Sequence, residues 1–287
     1  MVAQILNGKA LADEINTRLK HNITKLQRHP CLAVIQLGNE SASSIYVNNK
    51  LKACLAVGID TRMLHLDIDT TQQQLCKFID DLNHDDTVDG ILVQLPLPKH
   101  INLNNIIERI SIHKDVDGFH PYNLGKLFQG KPTLRPCTSY GIMQLLTHYK
   151  YSFAGKHAVV VGVSNHVGRP MALELLLAHA TVTQCHSQTH NLQHHVEAAD
   201  LLIIATGNMQ AISTEWLQPH QVIIDVGIHR LTDGSIRGDI DYAHAKEKVN
   251  WITPVPGGVG PMTISVLLQN VVQAYQGTLS MLSCNSS

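Results

Sequence analysis

Short runs of β-branched and aliphatic residues alternate with segments of helical periodicity along most of this chain. In the first half, Gly58 marks the end of one helical segment, since glycine is common just past the end of a helix. Strands that alternate with helices are typical of a parallel β-sheet with helices on its faces. The first half is predicted to form strands at 31–37, 61–66 and 90–93 and helices at 41–57, 71–84 and 102–110.

A second alternating block follows a loop-rich passage at 114–137. Its segment 201–204 is wholly apolar, as expected of a central strand that is buried on both faces. A helix is predicted at 140–149, before this block. The predicted strands of the block are 158–163, 180–185, 201–205, 222–225 and 250–253.

These patterns predict an α/β protein with two domains and a cleft between them. We expect an N-terminal three-layer βαβ domain at 1–139 and a Rossmann-like parallel-sheet domain at 140–261. The apolar helix predicted at 262–276 is expected to pack back on the first domain. The small and polar residues 277–287 are expected to fray.

Composition narrows the classes of function. The 287 residues include 44% hydrophobic residues, enough for large cores, and their net charge of −1 gives no attraction to nucleic acid. No apolar run approaches the ~20 residues that cross a bilayer, and the charged amphipathic segment 1–20 does not resemble a signal peptide. Six scattered cysteines without a C-x-x-C pair indicate reduced thiols, which favours a cytoplasmic location.

Eighteen histidines raise the question of a metal site. His190 and His194 have the spacing of two ligands on one helix face, and His195 is next to them. No glutamate lies beside His190, and no cysteine or carboxylate follows at ligand spacing, so exposed polar histidines are the better interpretation. No metal is expected.

Residues 159–170 have the pattern of a strand, a glycine turn and the start of a helix. Gly162 permits a tight turn, Ser164 supplies a hydroxyl, and Gly168 allows the helix to pack close to the strand. Exposed N–H groups at the helix start suit a pyrophosphate, although the spacing G-x-S-x-x-x-G departs from the usual G-x-G-x-x-G. The segment therefore predicts a dinucleotide site, with simple packing of strand and helix as the alternative.

The end of the following strand bears on which dinucleotide binds. An acidic residue usually contacts the ribose of NAD at this place, and the segment 185–188 contains none. The sequence therefore favours NADP and leaves NAD open.

Residues 254–263 contain three prolines and three glycines. Proline stiffens such a loop, while glycine lets a ligand approach the backbone. The loop follows a predicted strand, where ligands of open α/β sheets bind. A binding role is therefore favoured over a tight turn without a ligand.

Several polar side chains of the first block are candidates for catalysis. Tyr46 and Lys50 are four residues apart, so they share one helix face and can stack on a flat substrate and move a proton. The alternative is an ordinary amphipathic helix with a lysine whose stem is buried. Gln94 ends a predicted strand before two prolines, and Asp117 in a glycine-containing loop can accept two hydrogen bonds from an amino-heterocycle.

Seven of these motifs occur together in a fixed order. They are Tyr46-x-x-x-Lys50, Gln94-Leu-Pro-Leu-Pro, Asp115-Val-Asp117-Gly, Pro136-Cys-Thr138, Gly162-x-Ser164-x-x-x-Gly168-x-Pro170, Asp225-Val-Gly-Ile228 and the loop 254–263. With them the chain resembles the bifunctional methylenetetrahydrofolate dehydrogenase/methenyltetrahydrofolate cyclohydrolase family of bacteria over residues 1–276. The resemblance implies the short form with two activities, a homodimer, and a place in one-carbon metabolism that supplies purine biosynthesis.

The resemblance also implies a reaction and its residues. The implied reaction oxidises 5,10-methylenetetrahydrofolate with NADP and hydrolyses the methenyl product to 10-formyltetrahydrofolate. Lys50 would be the main catalytic group, with Tyr46 and Gln94 beside it, and Asp117 would hold the pterin ring. The implied folate contacts are Tyr46, Lys50, Gln94, Leu95, Pro96, Asp117, Pro256, Gly257 and Gly258. The implied cofactor contacts are Thr138, Gly162, Val163, Ser164, His186, Ser187, Ile228 and Thr263.

Three positions depart from the family pattern. Val163 and Gln188 stand where basic residues occur in other members, which keeps NAD open as the cofactor, and Ser139 replaces a frequent proline. Two alternatives therefore remain: a cyclohydrolase with weak or NAD-dependent dehydrogenase activity, and a folate-binding protein without catalysis. A short-chain dehydrogenase is disfavoured, because there the glycine-rich loop precedes the Tyr-x-x-x-Lys pair.

Overall fold

A computed structural model describes residues 2–38 and 41–285, with side chains omitted at 41–45 and 278–285. The strands are β1 Gln4–Ile5, β2 Cys31–Leu37, β3 Asp60–Leu66, β4 Gly90–Val93, β5 His157–Val161, β6 Thr181–Cys185, β7 Leu201–Ile204, β8 Val222–Asp225, β9 His229–Arg230, β10 Ile236–Arg237 and β11 Trp251–Ile252. The helices are α1 Gly8–Ile23, α2 Ser41–Val57, α3 Gln72–His84, α4 Leu103–Arg109, α5 Pro121–Phe128, α6 Cys137–His148, α7 Gly168–Leu177, α8 Leu192–Glu197, α9 Tyr242–Ala245 and α10 Val259–Asn285.

The chain divides into two compact units. The first comprises residues 1–13 and 136–263, and the second comprises residues 14–135 and 264–287. They are called the cofactor unit and the folate unit below, after the ligands that the family resemblance implies. The predicted α/β class, with parallel sheets and helices, is confirmed.

The cofactor unit is built on a six-stranded parallel sheet in the order β1-β11-β8-β7-β5-β6. As predicted, β7 is buried along its whole length, because strands flank it on both sides and helices cover a parallel sheet. Aliphatic side chains from β5, β7, β8 and β11 meet in one core cluster.

The folate unit is built on a three-stranded parallel sheet in the order β3-β2-β4. Strand β2 lies in the middle and is buried at every residue, since it pairs with a strand on each side. Helix α10 contributes to this unit from Ile264 onward, where the Asn270 amide donates to the carbonyls of Val116 and Arg135 at 2.8 Å each.

The observed units differ from the expected division at 139/140, since the second part of the cofactor unit begins at residue 136. Residues 1–13 belong to the cofactor unit, because β1 pairs in parallel with β11 and extends the larger sheet. Helix α10 also continues to Asn285, past residue 276 where the helix was expected to end. Within the described residues, no helix combines the length and apolar character needed to cross a membrane.

Helix α3 is stabilised at both of its ends. Thr71 forms a capping box with Gln74 at the start of the helix. At the other end, the buried Lys114 ammonium donates to the carbonyls of Leu82, Asn83 and Asp85, each at 2.9 Å. These are carbonyls that the end of a helix would otherwise leave without partners. Burial lowers the pKa of Lys114.

Lys114→Met is expected to lower the free energy of unfolding by about 2–3 kcal/mol, because it leaves several buried carbonyls unpaired. Urea denaturation followed by circular dichroism measures this loss. Lys77→Met on the exposed face of the same helix is the control, with an expected change below about 0.5 kcal/mol. Equal losses for the two variants would contradict this role of Lys114.

Candidate active site

The folate unit brings a buried lysine and a glutamine together. Lys50 lies on α2 and is only 7% exposed, and its ammonium donates to Gln94 Oε1 at 3.2 Å. Gln94 follows directly after β4, where its backbone N–H donates to the carbonyl of Ile35 in β2. The other end of the Gln94 amide donates to the carbonyl of Leu95 at 2.7 Å, which orients Oε1 toward Lys50.

Tyr46 belongs to the same cluster. One turn of α2 separates it from Lys50, and the Lys50 Nζ lies 4.8 Å from the centroid of the Tyr46 ring. This distance allows a cation–π interaction between the ammonium and the face of the ring. The half-buried ring therefore forms one wall beside the ammonium.

The two acids of the Asp115-Val-Asp117 segment have different surroundings. Asp115 is buried and accepts hydrogen bonds from the Phe119 and His120 N–H groups and from the Asn123 amide. It therefore shapes its own loop. Burial also raises the pKa of Asp117, while the charge of Lys50 lowers it. In the described part of the chain, the Asp117 carboxylate has no hydrogen-bond partner in the protein, so it is available to a ligand.

The remaining expected folate contacts of this unit, Leu95 and Pro96, lie just after the end of β4. The peptide bond between Leu95 and Pro96 is cis, and the Pro96 ring is exposed. Leu95 and Asp117 line one pocket together with apolar side chains of β4, α4 and the neighbouring loop. The free space here is small, so this lining shows only that Leu95 and Asp117 are neighbours at this end of β4.

In the cofactor unit, the point where the strand order reverses lies between β5 and β7. The chain runs from β5 to β6 at the edge of the sheet and then returns to β7 on the other side of β5. Gly162 directly follows β5 and has a φ of +133°, and a Cβ at this residue would lie 2.2 Å from the carbonyl oxygen of Ala205, after β7. Ligands of open α/β sheets bind at such a point, outside the carboxyl ends of the strands.

Ser164 and the start of α7 differ from the expected arrangement. The Ser164 hydroxyl accepts the N–H groups of Val167 and Gly168 at 3.2 and 3.4 Å. These two N–H groups, which were expected to be open to a pyrophosphate, therefore have a local acceptor in the protein. Gly168 has the expected packing role, since a Cβ would lie 2.1 Å from the Gly162 carbonyl oxygen.

The expected contacts after β6 and β8 are exposed. His186, Ser187 and Gln188 follow β6, and the His186 Nδ1 accepts the N–H of Gln188 at 3.1 Å. In its neutral form His186 therefore carries its ring proton on Nε2, which makes that exposed nitrogen a donor. Ile228 after β8 is 58% exposed, and Val163 after β5 is half-buried.

The loop rich in proline and glycine is packed against the start of α1. The Lys9 N–H donates to the Gly257 carbonyl at 2.9 Å, and a Cβ on Gly8 would lie 1.9 Å from the Gly258 carbonyl oxygen. Pro256, whose peptide bond with Val255 is cis, is exposed beside them. The Gly257 carbonyl is therefore hydrogen-bonded within the protein, and the Gly258 carbonyl leaves no room for a side chain at Gly8.

Thr138 and Thr263 also lie together in this unit. Their hydroxyl oxygens are 3.3 Å apart, with Thr138 near the start of α6 and Thr263 in the first turns of α10. Both were expected as cofactor contacts, and the structure places them side by side and half-buried.

The sequence analysis missed a buried network of two carboxylates, Asp225 and Asp239, in the cofactor unit. Asp225 accepts the N–H groups of Gly227, Asp239 and Ile240, and burial raises its pKa to about 6. Asp239 is fully buried and pairs with His229 at 2.7 Å. The motif Asp225-Val-Gly-Ile228 marked part of this network, but its partners lie too far along the chain to be recognised from spacing.

Metal-ligand clusters are absent from the described residues. No group of three histidine, cysteine, aspartate or glutamate side chains there is arranged to hold a metal ion. The cysteines with described side chains are free thiols, and they are Cys31, Cys54, Cys76, Cys137 and Cys185.

Comparison with known proteins identifies the family. The model of the tetrahydrofolate dehydrogenase/cyclohydrolase catalytic domain matches residues 6–117, and that of the family's NAD(P)-binding domain matches residues 136–279. The bifunctional protein FolD of Legionella pneumophila strain Paris is 58% identical over 278 residues, which cover 96% of this chain and 98% of the relative.

Solved structures agree with this assignment. The FolD dehydrogenase/cyclohydrolase of Campylobacter jejuni is 46% identical, with a TM-score of 0.94 over 96% of this chain and 99% of that one. The FolD of Trypanosoma brucei, solved with NADP cofactor and an inhibitor, is 33% identical, with a TM-score of 0.93 over 97% of this chain and 99% of the other. The chain therefore belongs to the tetrahydrofolate dehydrogenase/cyclohydrolase family.

Proposed function

We propose that this protein catalyses two successive reactions of one-carbon folate metabolism. It oxidises 5,10-methylenetetrahydrofolate to 5,10-methenyltetrahydrofolate with NADP+, and it hydrolyses the methenyl product to 10-formyltetrahydrofolate. Family membership supports both activities. The observation that carries the proposal is the buried Lys50 ammonium, which Gln94 contacts at 3.2 Å.

Hydrolysis requires a group that moves protons at the methenyl carbon. Water adds its oxygen to that carbon and loses one proton. The bond from the carbon to N5 then breaks as the hydroxyl proton leaves and N5 gains a proton, so that a formyl group remains on N10. The net reaction consumes one water and releases one proton. Lys50 is placed to accept and return these protons, because its amine is buried and held by a neutral amide.

The neighbours of Lys50 have separate roles. Gln94 orients the amine, because its own amide is held by the Leu95 carbonyl. As a neutral amide, it does not titrate. The ring of Tyr46 provides a surface beside the reacting carbon, and Asp117 accepts hydrogen bonds from the pterin. We also propose contacts to the folate from Leu95, Pro96, Pro256, Gly257 and Gly258.

The residues of the cofactor unit fit a dinucleotide. Gly162 leaves the end of β5 without a side chain at the point where the strand order reverses, and no acid follows β6 that would repel a 2′-phosphate. When bound, NADP+ would accept a hydride from the methylene carbon, which leaves the methenyl cation. We propose cofactor contacts from Thr138, Gly162, Val163, Ser164, His186, Ser187, Ile228 and Thr263, with Ser187 and His186 at the adenosine end.

Two alternatives to this proposal differ in what they require of the residues present. A cyclohydrolase with weak or NAD-dependent dehydrogenase activity remains compatible with Val163 and Gln188. A folate-binding protein without catalysis would not need the buried amine of Lys50. We further propose that the protein is a homodimer and that it is cytoplasmic. Light scattering on the purified protein tests the dimer.

The proposed function is tested with purified protein and two substrates. Methylenetetrahydrofolate is supplied with NADP+ or with NAD+, and methenyltetrahydrofolate is supplied alone. We expect turnover of both substrates and a higher kcat/KM with NADP+ than with NAD+. Turnover of methenyltetrahydrofolate alone would support the cyclohydrolase alternative, and no turnover of either substrate would rule out an enzyme of this kind.

A further inference from the structure

We propose that Asp239 and His229 are positioning residues for the dinucleotide. Together they would hold the loops that follow β7 and β8 in the shape that the cofactor needs. This role rests on the proposed function, because it concerns the same cofactor site. Neither residue belongs to the set of contacts proposed above.

Asp239 fastens the loop after β7. Its Oδ2 accepts the backbone N–H groups of Thr206 and Gly207 at 2.7 and 2.8 Å, and the Thr206 hydroxyl lies 2.7 Å from the same oxygen. Gly207 has a φ of +65°, so the chain turns here directly after the strand. One carboxylate oxygen therefore holds the first residues of the loop after β7 by hydrogen bonds.

The second oxygen of Asp239 fastens the loop after β8. His229 Nε2 lies 2.7 Å from Oδ1, and His229 directly follows the exposed Ile228. A Cβ on Gly227 would lie 2.1 Å from the same Oδ1, so the carboxylate occupies the space where a side chain would otherwise stand. Residues on both sides of Ile228 are thus in contact with Asp239.

Because Asp239 is buried, its carboxylate depends on hydrogen bonds from both loops. Asp239 is fully buried, so its carboxylate oxygens need hydrogen-bond donors within the protein. His229 is the basic side chain within hydrogen-bond distance, and about a fifth of its own side chain reaches solvent. Asp225 lies behind this pair and accepts the backbone N–H of Asp239, which fixes the position of the carboxylate from the other side.

The location of the two loops connects them to the cofactor. Both follow neighbouring parallel strands at their carboxyl ends, on the side of the sheet where dinucleotides bind. The loop after β7 begins at Ala205, whose carbonyl faces Gly162. A displacement of either loop would therefore change the surface offered to the cofactor without altering Lys50 or Gln94 in the folate unit.

Variants of His229 test the proposal, because the histidine is partly exposed and its loss is compatible with folding. His229→Leu removes the donor to Asp239, whereas the Nε2 of His229→Gln can replace it. His244→Leu is the matched control, since His244 forms an exposed pair with Asp241 in the same unit. For each variant, the Kd for NADP+ is measured by calorimetry, together with dehydrogenase KM and kcat, the cyclohydrolase rate and the Tm without cofactor.

We expect His229→Leu to raise the Kd and KM for NADP+ by about tenfold, the scale of one charge-assisted hydrogen bond. The kcat of both reactions should change less than about twofold, and His229→Gln should restore most of the affinity. An unchanged Kd in His229→Leu, or an equal loss in His229→Gln, would overturn the positioning role. A wild-type protein that does not bind NADP+ would overturn the proposed function and this role with it.

Discussion

Lys50→Met is expected to reduce hydrolysis of 5,10-methenyltetrahydrofolate about 1000-fold, within the range that a positioned general acid or base contributes. Methionine keeps the apolar stem of the lysine in its buried position but cannot accept or donate a proton. The protein should remain folded, because the acceptor of the Lys50 ammonium among the described residues is the neutral Gln94 amide and not a buried carboxylate. The absorbance of the methenyl substrate measures the rate, after subtraction of the spontaneous reaction.

Lys52→Met provides the control for this experiment. Lys52 lies two residues further along the same helix and is exposed to solvent. Its replacement should leave the rate within about twofold of wild type, since surface substitutions of this kind have small effects. Hydrolysis by Lys50→Met at the wild-type rate would show that another group moves the protons.

Gly162→Ala is expected to weaken NADP+ binding at least about 100-fold and to destabilise the cofactor unit by several kcal/mol. The new methyl group would stand 2.2 Å from the Ala205 carbonyl oxygen, and the backbone would have to keep a φ of +133°. Strands β5 and β7 pair directly, so neither can move away without loss of sheet hydrogen bonds. Calorimetry with NADP+ and thermal unfolding measure the two effects.

Gly155→Ala separates the steric effect from the backbone effect. Gly155 also has a positive φ, +75°, but no atom lies within 4 Å of the position of its missing Cβ. Its replacement should therefore cost only about 1 kcal/mol of backbone strain and leave NADP+ affinity unchanged. If Gly162→Ala bound NADP+ as tightly as Gly155→Ala, the close approach of β5 and β7 would not matter for the cofactor.

Much of the architecture was predictable because it depends on local pattern. The bounds of β2, β4 and β8 agree with those predicted, since each is a short apolar run with polar or turn residues beyond it. Strand β1 was missed because it has only two residues and its partner β11 lies at the other end of the chain. A pairing of that kind leaves no local signal.

The sites show the same limit. The order of motifs in the sequence correctly indicated the family. The structure brings Lys50 and Gln94 into contact, while their catalytic roles stay a prediction. Two details required the structure. The Ser164 hydroxyl accepts a backbone N–H at the start of α7. Asp239 accepts hydrogen bonds from a loop that lies 33 residues away. Periodicity and spacing do not report contacts over that separation.

The central claim is that one chain converts methylenetetrahydrofolate to 10-formyltetrahydrofolate through two activities. The most direct measurement supplies the wild-type protein with methylenetetrahydrofolate and NADP+ and follows NADPH and 10-formyltetrahydrofolate together. We expect the two products to appear in equal amounts, with the second formed faster than methenyltetrahydrofolate hydrolyses unaided. NADPH without accelerated formation of 10-formyltetrahydrofolate, or no NADPH at all, would contradict the claim.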